Sequence, residues 1–456
     1  MPKKKTALTI EERLQQALVP AEEQPYEVPE NWVWVRLIGN VNSCLDGYRK
    51  PINSSERAKR VGKVPYYGAT GQVGWIDDYL TNEHLVLLGE DGAPFLDLLK
   101  DKAYIIFGEA WVNNHAHILK SYFGEIGNVF LMHYLNMVDY KDYVKGTTRL
   151  KLTQGSMQLM PFPLPPFSEQ QRIVERIEEL FAKLDEAKER LQEVADSFAV
   201  RKAAILHKAF TGELTKQWRW ENGVSYESWE EKKGEDFFEY VTSGSRGWAK
   251  YYSDKGSIFI RMGNLNHGTI ELDFSDIQYV ELPDQVEGQR SKLQKNDILI
   301  SITADVGMIA LVREDMDAYI NQHVALARPK NDLYAEFLAW YFVSNDGLQQ
   351  MQNKQRGATK IGLGLQDIRS IILKIPTLPE QHEIVRLIDD LLARERAAQQ
   401  AAEQALASID LMKKSILARA FRGELGTNKE RAGAFKAGAG GKLKLNKNQD
   451  LGSGKS

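Results

Sequence analysis

Between residues 173 and 198 the apolar positions Ile173, Ile177, Leu180, Leu184, Ala187, Leu191, Val194 and Phe198 alternate in steps of four and three. That is the heptad spacing of a helix whose apolar stripe faces a partner helix. A second stripe runs through Ile384, Ile388, Leu391, Ala398, Ala402, Ala405, Ile409, Met412 and Ile416, with Glu395 as its one charged intruder. Alanine along one seam lets a neighbouring backbone approach closely. The pattern therefore predicts two long helices packed on each other as an antiparallel coiled coil, large residues against small. Ser168 with Gln171, and Thr377 with Glu380, fit the capping-box spacing, and Gly212 and Gly423 supply the stops. Between cap and stop lie about 43 residues, which at ~1.5 Å each makes a rod of roughly 60 Å. Ordinary helices average about 11 or 12 residues, which favours a spacer over the alternative of a helical hairpin within one core.

The stripes belong to a longer repeat: residues 146–214 realign without a gap on residues 357–425, 211 positions later. Glu169-Gln170, Ile173-Val174, Ile177 and Leu180 recur as Glu380-Gln381, Ile384-Val385, Ile388 and Leu391. Both copies close alike, with Ile205-Leu206, Ala209-Phe210 and Gly212-Glu213-Leu214 matching Ile416-Leu417, Ala420-Phe421 and Gly423-Glu424-Leu425. So long a period means two half-molecules rather than a solenoid. Residues 26–165 and 226–376 carry short β-type runs such as Leu85-Val86-Leu87-Leu88, Tyr104-Ile105-Ile106-Phe107 and Asp297 through Ile302, separated by glycine turns. They read as α+β globules that diverge far more than the helices, with two small echoes, Asn113-Asn114-His115 against Asn321-Gln322-His323 and Gly146-Thr147-Thr148-Arg149 against Gly357-Ala358-Thr359-Lys360. The expected division is an N-terminal helix within 1–25, a first globule 26–165, a spacer helix 166–214, a linker 215–225, a second globule 226–376, a second spacer helix 377–425, and a disordered tail 426–456, Gly- and Lys-rich, net basic and without periodicity. The first helix should be capped by Thr9 and Glu12, stop before Pro20, and present Ile10, Leu14 and Leu18 to a helix or a partner.

Composition narrows the class. A chain of 456 residues with 43% hydrophobic and 27% charged residues suits a soluble protein of two or more domains. Cys44 is the single cysteine, so no intrachain disulfide framework exists; alone, it reads as a small core residue. No apolar run resembles a signal peptide or a membrane span, which makes the cytoplasm the expected compartment. A net charge of −3 speaks mildly against nucleic acid, but acidic residues concentrate in the repeated helices (Glu175, Glu178, Glu179, Asp185, Glu186, Glu189), whereas Arg49-Lys50 and the run from Arg57 to Lys63 lie outside them.

Chemistry of its own is hard to find in this chain. A DNA methyltransferase needs an Asp/Asn-Pro-Pro-Tyr/Phe loop for the flipped base, and the nearest match, Leu164-Pro165-Pro166-Phe167, offers leucine where an adenine amino group needs an acceptor. Prolines ahead of a helix read as punctuation. Gly452-Ser453-Gly454-Lys455-Ser456 lacks the first glycine of a phosphate loop, which would fall at Gln449. His115 and His117 point to opposite faces of a strand and lack a third ligand nearby, so no metal is expected. The Asn-x-His echo suggests buried side-chain hydrogen bonds in each globule.

In the order globule, long helix, globule, long helix, and in the stretches Pro65-Tyr66-Tyr67-Gly68-Ala69-Thr70-Gly71, Leu88-Gly89-Glu90-Asp91-Gly92-Ala93, Thr242 through Trp248, Gly263-Asn264-Leu265, Asn321-Gln322-His323 and Pro379-Glu380-Gln381, the chain resembles the specificity subunits of type I restriction-modification systems over residues 26–425. The resemblance implies two target-recognition domains, each reading one half of a split DNA sequence, with the helices fixing the unread gap. It implies a non-catalytic chain that binds double-stranded DNA and holds two methyltransferase subunits and, in the full complex, restriction subunits. S-adenosylmethionine, ATP and Mg would reside on those partners.

Phosphates attract Lys and Arg regardless of sequence, whereas base edges are read by Arg, Lys, Asn, Gln, Ser and Thr. In the first globule the candidate DNA contacts are Arg49, Lys50, Arg57, Lys59, Arg60, Lys63, Tyr66, Tyr67 and Thr70. In the second they are Ser243, Ser245, Arg246, Trp248, Lys250, Tyr251, Tyr252, Arg261 and Asn264, with Arg246 favoured because glycines flank it. Lys145 and Arg149 recur as Arg356 and Lys360, with Lys354 close by, and these cations suit phosphate. Two rival readings remain open at this point, a protein-binding scaffold and a self-sufficient methyltransferase.

Overall fold

The computed structural model describes residues 10–283, 289–356 and 362–428, together with two-residue strands at Lys436–Ala437 and Leu443–Lys444. The chain forms two compact units, one from residues 1–192 and 404–456, the other from 193–403. Both are α+β, and they share the order of their antiparallel sheet despite their divergent sequences, while the edge strand of the second sheet differs.

In the first unit a four-stranded antiparallel sheet runs in the order Asn42–Cys44, Ala116–Ser121, Leu85–Gly89, Ala103–Ile106. Its central strand is the uninterrupted apolar run identified above. Alternation along that strand sends Val86 and Leu88 into one core, beside Phe130 and Leu131 of helix Gly124–Met137, and Leu85 and Leu87 into another, beside Ala110 and Val112. A second sheet, ordered Gln72–Ile76, Val64–Tyr67, Glu109–Val112, Thr81–Asn82, contains one parallel pair. The second unit repeats the plan. Phe238–Ser243, Val324–Pro329, Ile298–Ser301 and Ile309–Leu311 form the antiparallel sheet, and Tyr252–Ser253, Tyr279–Val280, Ser257–Ile260 and Ala318–Ile320 the second, with its parallel pair between the last two. Ile298 and Ile300 point to one core and Leu299 to the other.

Each unit also has a short antiparallel pair that leads into a long helix. Val33–Arg36 pairs with Pro161–Leu164 in the first, and Glu230–Lys233 with Ile372–Ile375 in the second. The N-terminal helix Ile10–Ala17 docks on its own unit: Leu14 and Ala17 are buried with Trp32 and Val35, and Leu18 bridges Val35. Thr9, its expected cap, and most of the tail from 429 onward lie outside the described residues; within the tail, Lys436–Ala437 pairs antiparallel with Leu443–Lys444.

The repeated segments are helices, with two departures from expectation. Residues Leu378–Phe421 form one helix of 44 residues. The first copy instead divides into Phe167–Asp196 and Phe198–Phe210 at Ser197, whose hydroxyl turns back to donate to the Val194 carbonyl and accepts from Arg201. Back-bonding serines of this kind bend helices. The capping boxes are replaced as well. Ser168 lies inside the first turn, and the free amides of Glu169 and Gln170 donate to the Pro166 carbonyl, as those of Glu380 and Gln381 donate to Thr377. The repeated glutamines then lock the proline turns, Gln170 Nε2 donating to the Pro165 carbonyl at 3.0 Å and Gln381 Nε2 to that of Pro376 at 2.9 Å. Both copies end at the expected glycines, Gly212 and Gly423, at φ of 76° and 75°.

The heptad seam is buried at Ile173, Ile177, Ile384, Ile388, Ala402 and Ile409, but Val194, Ala398 and Met412 are exposed, and Leu392 and Leu417 are buried in place of their neighbours Leu391 and Ile416. A straight helix of 3.6 residues per turn drifts from a 3.5-residue pattern by about 20° per heptad, enough to move the stripe one column over this length. Within the first unit Lys413 pairs with Asp185 at 2.6 Å and Asp410 with Lys188 at 3.7 Å, so the helices there run antiparallel. Within the second unit Arg201 pairs with Glu395, which gives the charged intruder of the seam its role.

Candidate nucleic-acid interface

In the second unit the loop after strand Phe238–Ser243 borders a cavity of about 710 Å³, lined by Ser243, Ser245, Arg246, Trp248, Lys250 and Tyr251 together with Arg290 and Gln322. Backbone packing builds it. A Cβ on Gly244 would lie 1.9 Å from the Ile320 carbonyl oxygen, so only glycine lets this loop lie against the next strand, and Ser245 bridges Asn321 beside it. Gly247, at φ 76°, then turns the chain into the short helix Trp248–Tyr251. Trp248 is buried, stacked on Phe259 and edge-on to Tyr319 at ring distances of 5.6 and 5.4 Å, so it anchors the loop rather than touching a ligand. Arg246 and Lys250 remain exposed at the rim, Lys250 over the Tyr251 ring, with Tyr252 also exposed.

Two further candidates in this unit are engaged within the fold. Asn264 is buried, accepting from the Arg261 amide and donating to the carbonyls of Asp273 and Asp276. Arg261 is half-buried and paired with Asp276 at 2.8 Å. Arg290 and Gln322, in contrast, were missed; only the Asn-Gln-His echo flagged Gln322, and for another reason. That echo is a local turn in both units, with the Asn113 side chain accepting from the His115 amide at 2.8 Å and Asn321 from His323 at 3.0 Å; Asn113 is buried, as expected, and Asn321 is half-buried.

In the first unit the basic run gathers over aromatic rings. Asn53 caps the turn Ser54–Arg57, which directs Arg57 over the Tyr66 ring at 4.9 Å and precedes Arg60, which covers Trp111 at 4.6 Å. Lys50 approaches the same indole, and Lys50, Lys59 and Lys63 are exposed, as is Thr70. Arg60 is also held by Asp77. Tyr66 is the floor of this patch, not its surface: it is buried, with its hydroxyl beside Ile52. Tyr67 is half-buried against Tyr104, and burial raises its hydroxyl above the usual tyrosine range. Trp75, exposed on strand Gln72–Ile76, is an aromatic neighbour that alternation alone did not mark.

Arg49 also leaves the interface. Its guanidinium, largely buried, binds Glu90 and Asp46 and donates to the Ala116 carbonyl. Asp46 accepts from His117 at 2.6 Å and Glu90 from Lys151 at 2.8 Å. Both carboxyls lie below their ordinary values even though burial opposes this, because hydrogen bonds from His117 and the Ile118 amide at Asp46, and from Lys151 and Arg49 at Glu90, hold the charged forms. Cys44, Asp46 and His117 sit close enough to share an ion, but the donor set fits a cation badly. His117 spends both ring nitrogens, on Asp46 and on the Leu152 carbonyl, and burial pushes the Cys44 thiol up to about 12. Of the repeated cations, Arg149 is exposed and paired with Asp91 at 2.9 Å, Arg356 with Asp367, and Lys360 lies outside the described residues. The Leu164-Pro165-Pro166-Phe167 stretch closes a strand and opens a helix, as its backbone bonds show.

Two α+β units built on the same antiparallel sheet, each offering a basic loop surface over buried aromatic rings and each entering a long helix by the same proline and glutamine turn, define a duplicated recognition protein. The family profile described as the type I restriction modification DNA specificity domain matches residues 29–196 and 226–405, and the chain belongs to that family. It is 30% identical over 288 residues to the type I restriction enzyme EcoBI specificity subunit of Escherichia coli, an alignment covering 60% of each chain. It is 26% identical over 311 residues to the EcoKI specificity subunit of Escherichia coli strain K12, covering 65% of each. The chain thus spans somewhat less than two thirds of these relatives' length; the match to the EcoDI subunit, at 24% identity, reaches 90% of it. The solved HsdS subunit from Thermoanaerobacter tengcongensis has the same fold, with TM-score 0.59 at 18% identity over 88% of this chain and 99% of that one.

Proposed function

We propose that the chain is the sequence-specific DNA-recognition subunit of a type I restriction-modification complex, each unit reading one half-site. The observation that carries this reading is the open cavity of the second unit, where Arg246, Lys250 and Arg290 converge with Ser243, Ser245 and Gln322. Guanidinium, hydroxyl and carboxamide groups on one concave wall are the donors and acceptors that base edges require, with cations left over for phosphate. In the first unit Lys50, Lys59 and Lys63 supply the phosphate contacts, while Arg57 and Arg60, held over aromatic rings, are preorganised for closer approach.

The long helices are the spacer in this proposal: the 44 residues of Leu378–Phe421 amount to roughly 65 Å at ~1.5 Å per residue. Their outward faces hold two methyltransferase subunits, and restriction subunits join the full complex; S-adenosylmethionine, ATP and Mg belong to those partners. Among the described residues no helix is long and apolar enough to cross a membrane, and the proposed compartment is the cytoplasm, where host DNA is modified.

Binding of duplex DNA by the assembled complex tests this. Arg246→Ala is expected to cost about 1–3 kcal/mol of discrimination at one half-site, whereas Lys59→Ala weakens cognate and random duplexes alike and lowers the salt slope by about 1. An equal loss for Arg246→Ala on both kinds of DNA would remove it from base reading. Salt-insensitive binding, or none, would favour a protein-binding scaffold.

A further inference from the structure

Each unit places an aromatic pair at the same point of its second sheet. In the first, Tyr66 and Trp111 sit opposite each other on parallel strands; in the second, Phe259 and Tyr319 do, and all four are buried. The backbone beyond each pair shows that the places are equivalent. The Asn113 amide donates to the Tyr67 carbonyl at 3.1 Å, and the Asn321 amide donates to the Ile260 carbonyl at 3.0 Å.

A lysine lies over the corresponding ring in both units. Lys50 Nζ is 5.8 Å from the centre of the Trp111 ring and Lys292 Nζ 5.9 Å from that of Tyr319, although Lys50 precedes the strands of its sheet and Lys292 comes from a segment between them. Each lysine backbone is tied to the strand that carries the ring. The Lys50 amide donates to the Val112 carbonyl at 3.1 Å, and its carbonyl accepts from Trp111 Nε1 at 2.8 Å. Lys292 bridges Tyr319, and the next amide, that of Leu293, donates to the Ala318 carbonyl at 2.9 Å. Both lysines are exposed, so the ring fixes the stem and leaves the ammonium in solvent. Lys292 also lies 3.1 Å from Asp317, with both side chains more than half exposed, and such pairs are weak enough for a phosphate to compete.

We propose that the aromatic pair is a cation seat duplicated in the two units, on which Trp111 presents Lys50, and Tyr319 presents Lys292, to a DNA phosphate. Lys292 then belongs to the interface of the second unit, two residues along the chain from Arg290 on the cavity wall, and Trp111 and Tyr319 are positioning residues that do not touch DNA themselves. This role rests on the DNA-recognition reading above and adds to it the means by which one phosphate contact is held in place in each unit. Because an indole and a phenol both offer a π face, the seat survives a change of residue.

Duplex binding across a range of salt, by the full chain assembled with its modification subunits, tests this. Lys292→Ala should weaken cognate and random duplexes equally and lower the salt slope by about 1, as Lys50→Ala does, while Lys292→Arg stays near the wild type. Trp111→Phe keeps an aromatic ring and loses the N–H. It should weaken binding roughly three- to fivefold by itself and not at all in a Lys50→Ala background, a dependence that a merely structural role would not produce. A Lys292→Ala complex with the wild-type slope, or the same Trp111→Phe loss in both backgrounds, would overturn the seat. If Lys50→Ala still lowers the slope in that case, DNA recognition stands without the seat; salt-insensitive binding by the wild type would remove the reading beneath it.

Discussion

Replacing Arg219 by alanine should destabilise the second unit by about 3–5 kcal/mol, more than any other single change outside its apolar core, because it leaves a buried carboxylate without its cation. The Arg219 side chain is 9% exposed and that of Glu380 is fully enclosed, so water can replace little of what is lost. The arginine also donates to the Gly212 carbonyl and lies beneath the rings of Tyr226 and Trp229, tying together the end of one helix, the start of the other and the strand entering the globule. Denaturant unfolding of Arg219→Ala checks this. A loss below about 1 kcal/mol would show that the junction is not the keystone its burial implies. The glutamate then owes its recurrence in both copies to the join between helix and globule, not to a capping box.

Arg49→Ala is expected to cost about 2–4 kcal/mol and to leave DNA discrimination intact in whatever fraction stays folded, the opposite of a DNA contact. Its removal strips a half-buried carboxylate, Asp46, and a buried one, Glu90, of a shared cation. Acid should mimic the substitution. Because both carboxyls titrate lower in the folded chain than their ordinary values of 3.8 and 4.5, their contribution is present in full above those values and disappears as the pH falls through the lower folded values, below about 4. Unfolding midpoints measured from pH 6 to pH 3 should fall for the wild type and fall less for Arg49→Ala. Parallel curves would mean that Arg49 does not hold the two carboxyls in their charged form.

The contrast between Arg49 and Lys59 shows where sequence reading succeeded and where it stopped. Periodicity located both long helices to within a few residues of their ends, since heptad spacing and the glycine stops are local signals. It also found the central strands, whose apolar runs allow little else. It did not foresee the break at Ser197, which depends on a hydroxyl returning to its own backbone. Nor did it separate cations that face solvent from those that face acids: Arg49 and Lys50 are adjacent in the chain, but one is inside and the other outside. Residue type marks Tyr66, Trp248 and Asn264 as candidates, and only packing shows that they form the floor and frame of those surfaces. Arg290 and Gln322 come to the cavity from distant segments, Gln322 beside the parallel bridge of Ser245 to Asn321 and Arg290 ahead of the antiparallel bridge of Lys292 to Tyr319, pairings that no local pattern announces.

The shared frame of the two globules is the larger lesson. Their sequences share little beyond Asn-x-His, yet the order of the antiparallel sheet and the parallel pair of the second sheet repeat, because what is common to them is the alternation of buried positions and not residue identity. Loops are free to differ on such a frame, which is the property required of two readers built on one plan.

Mapping methylated adenines in DNA modified by a complex of this chain with its modification subunits is the most direct test of the account. Two short specified words separated by a gap of fixed length and arbitrary sequence are predicted, one word lost on disabling the loop around Arg246 and the other on disabling the patch around Lys59. A single uninterrupted word, or methylation without a word, would contradict it.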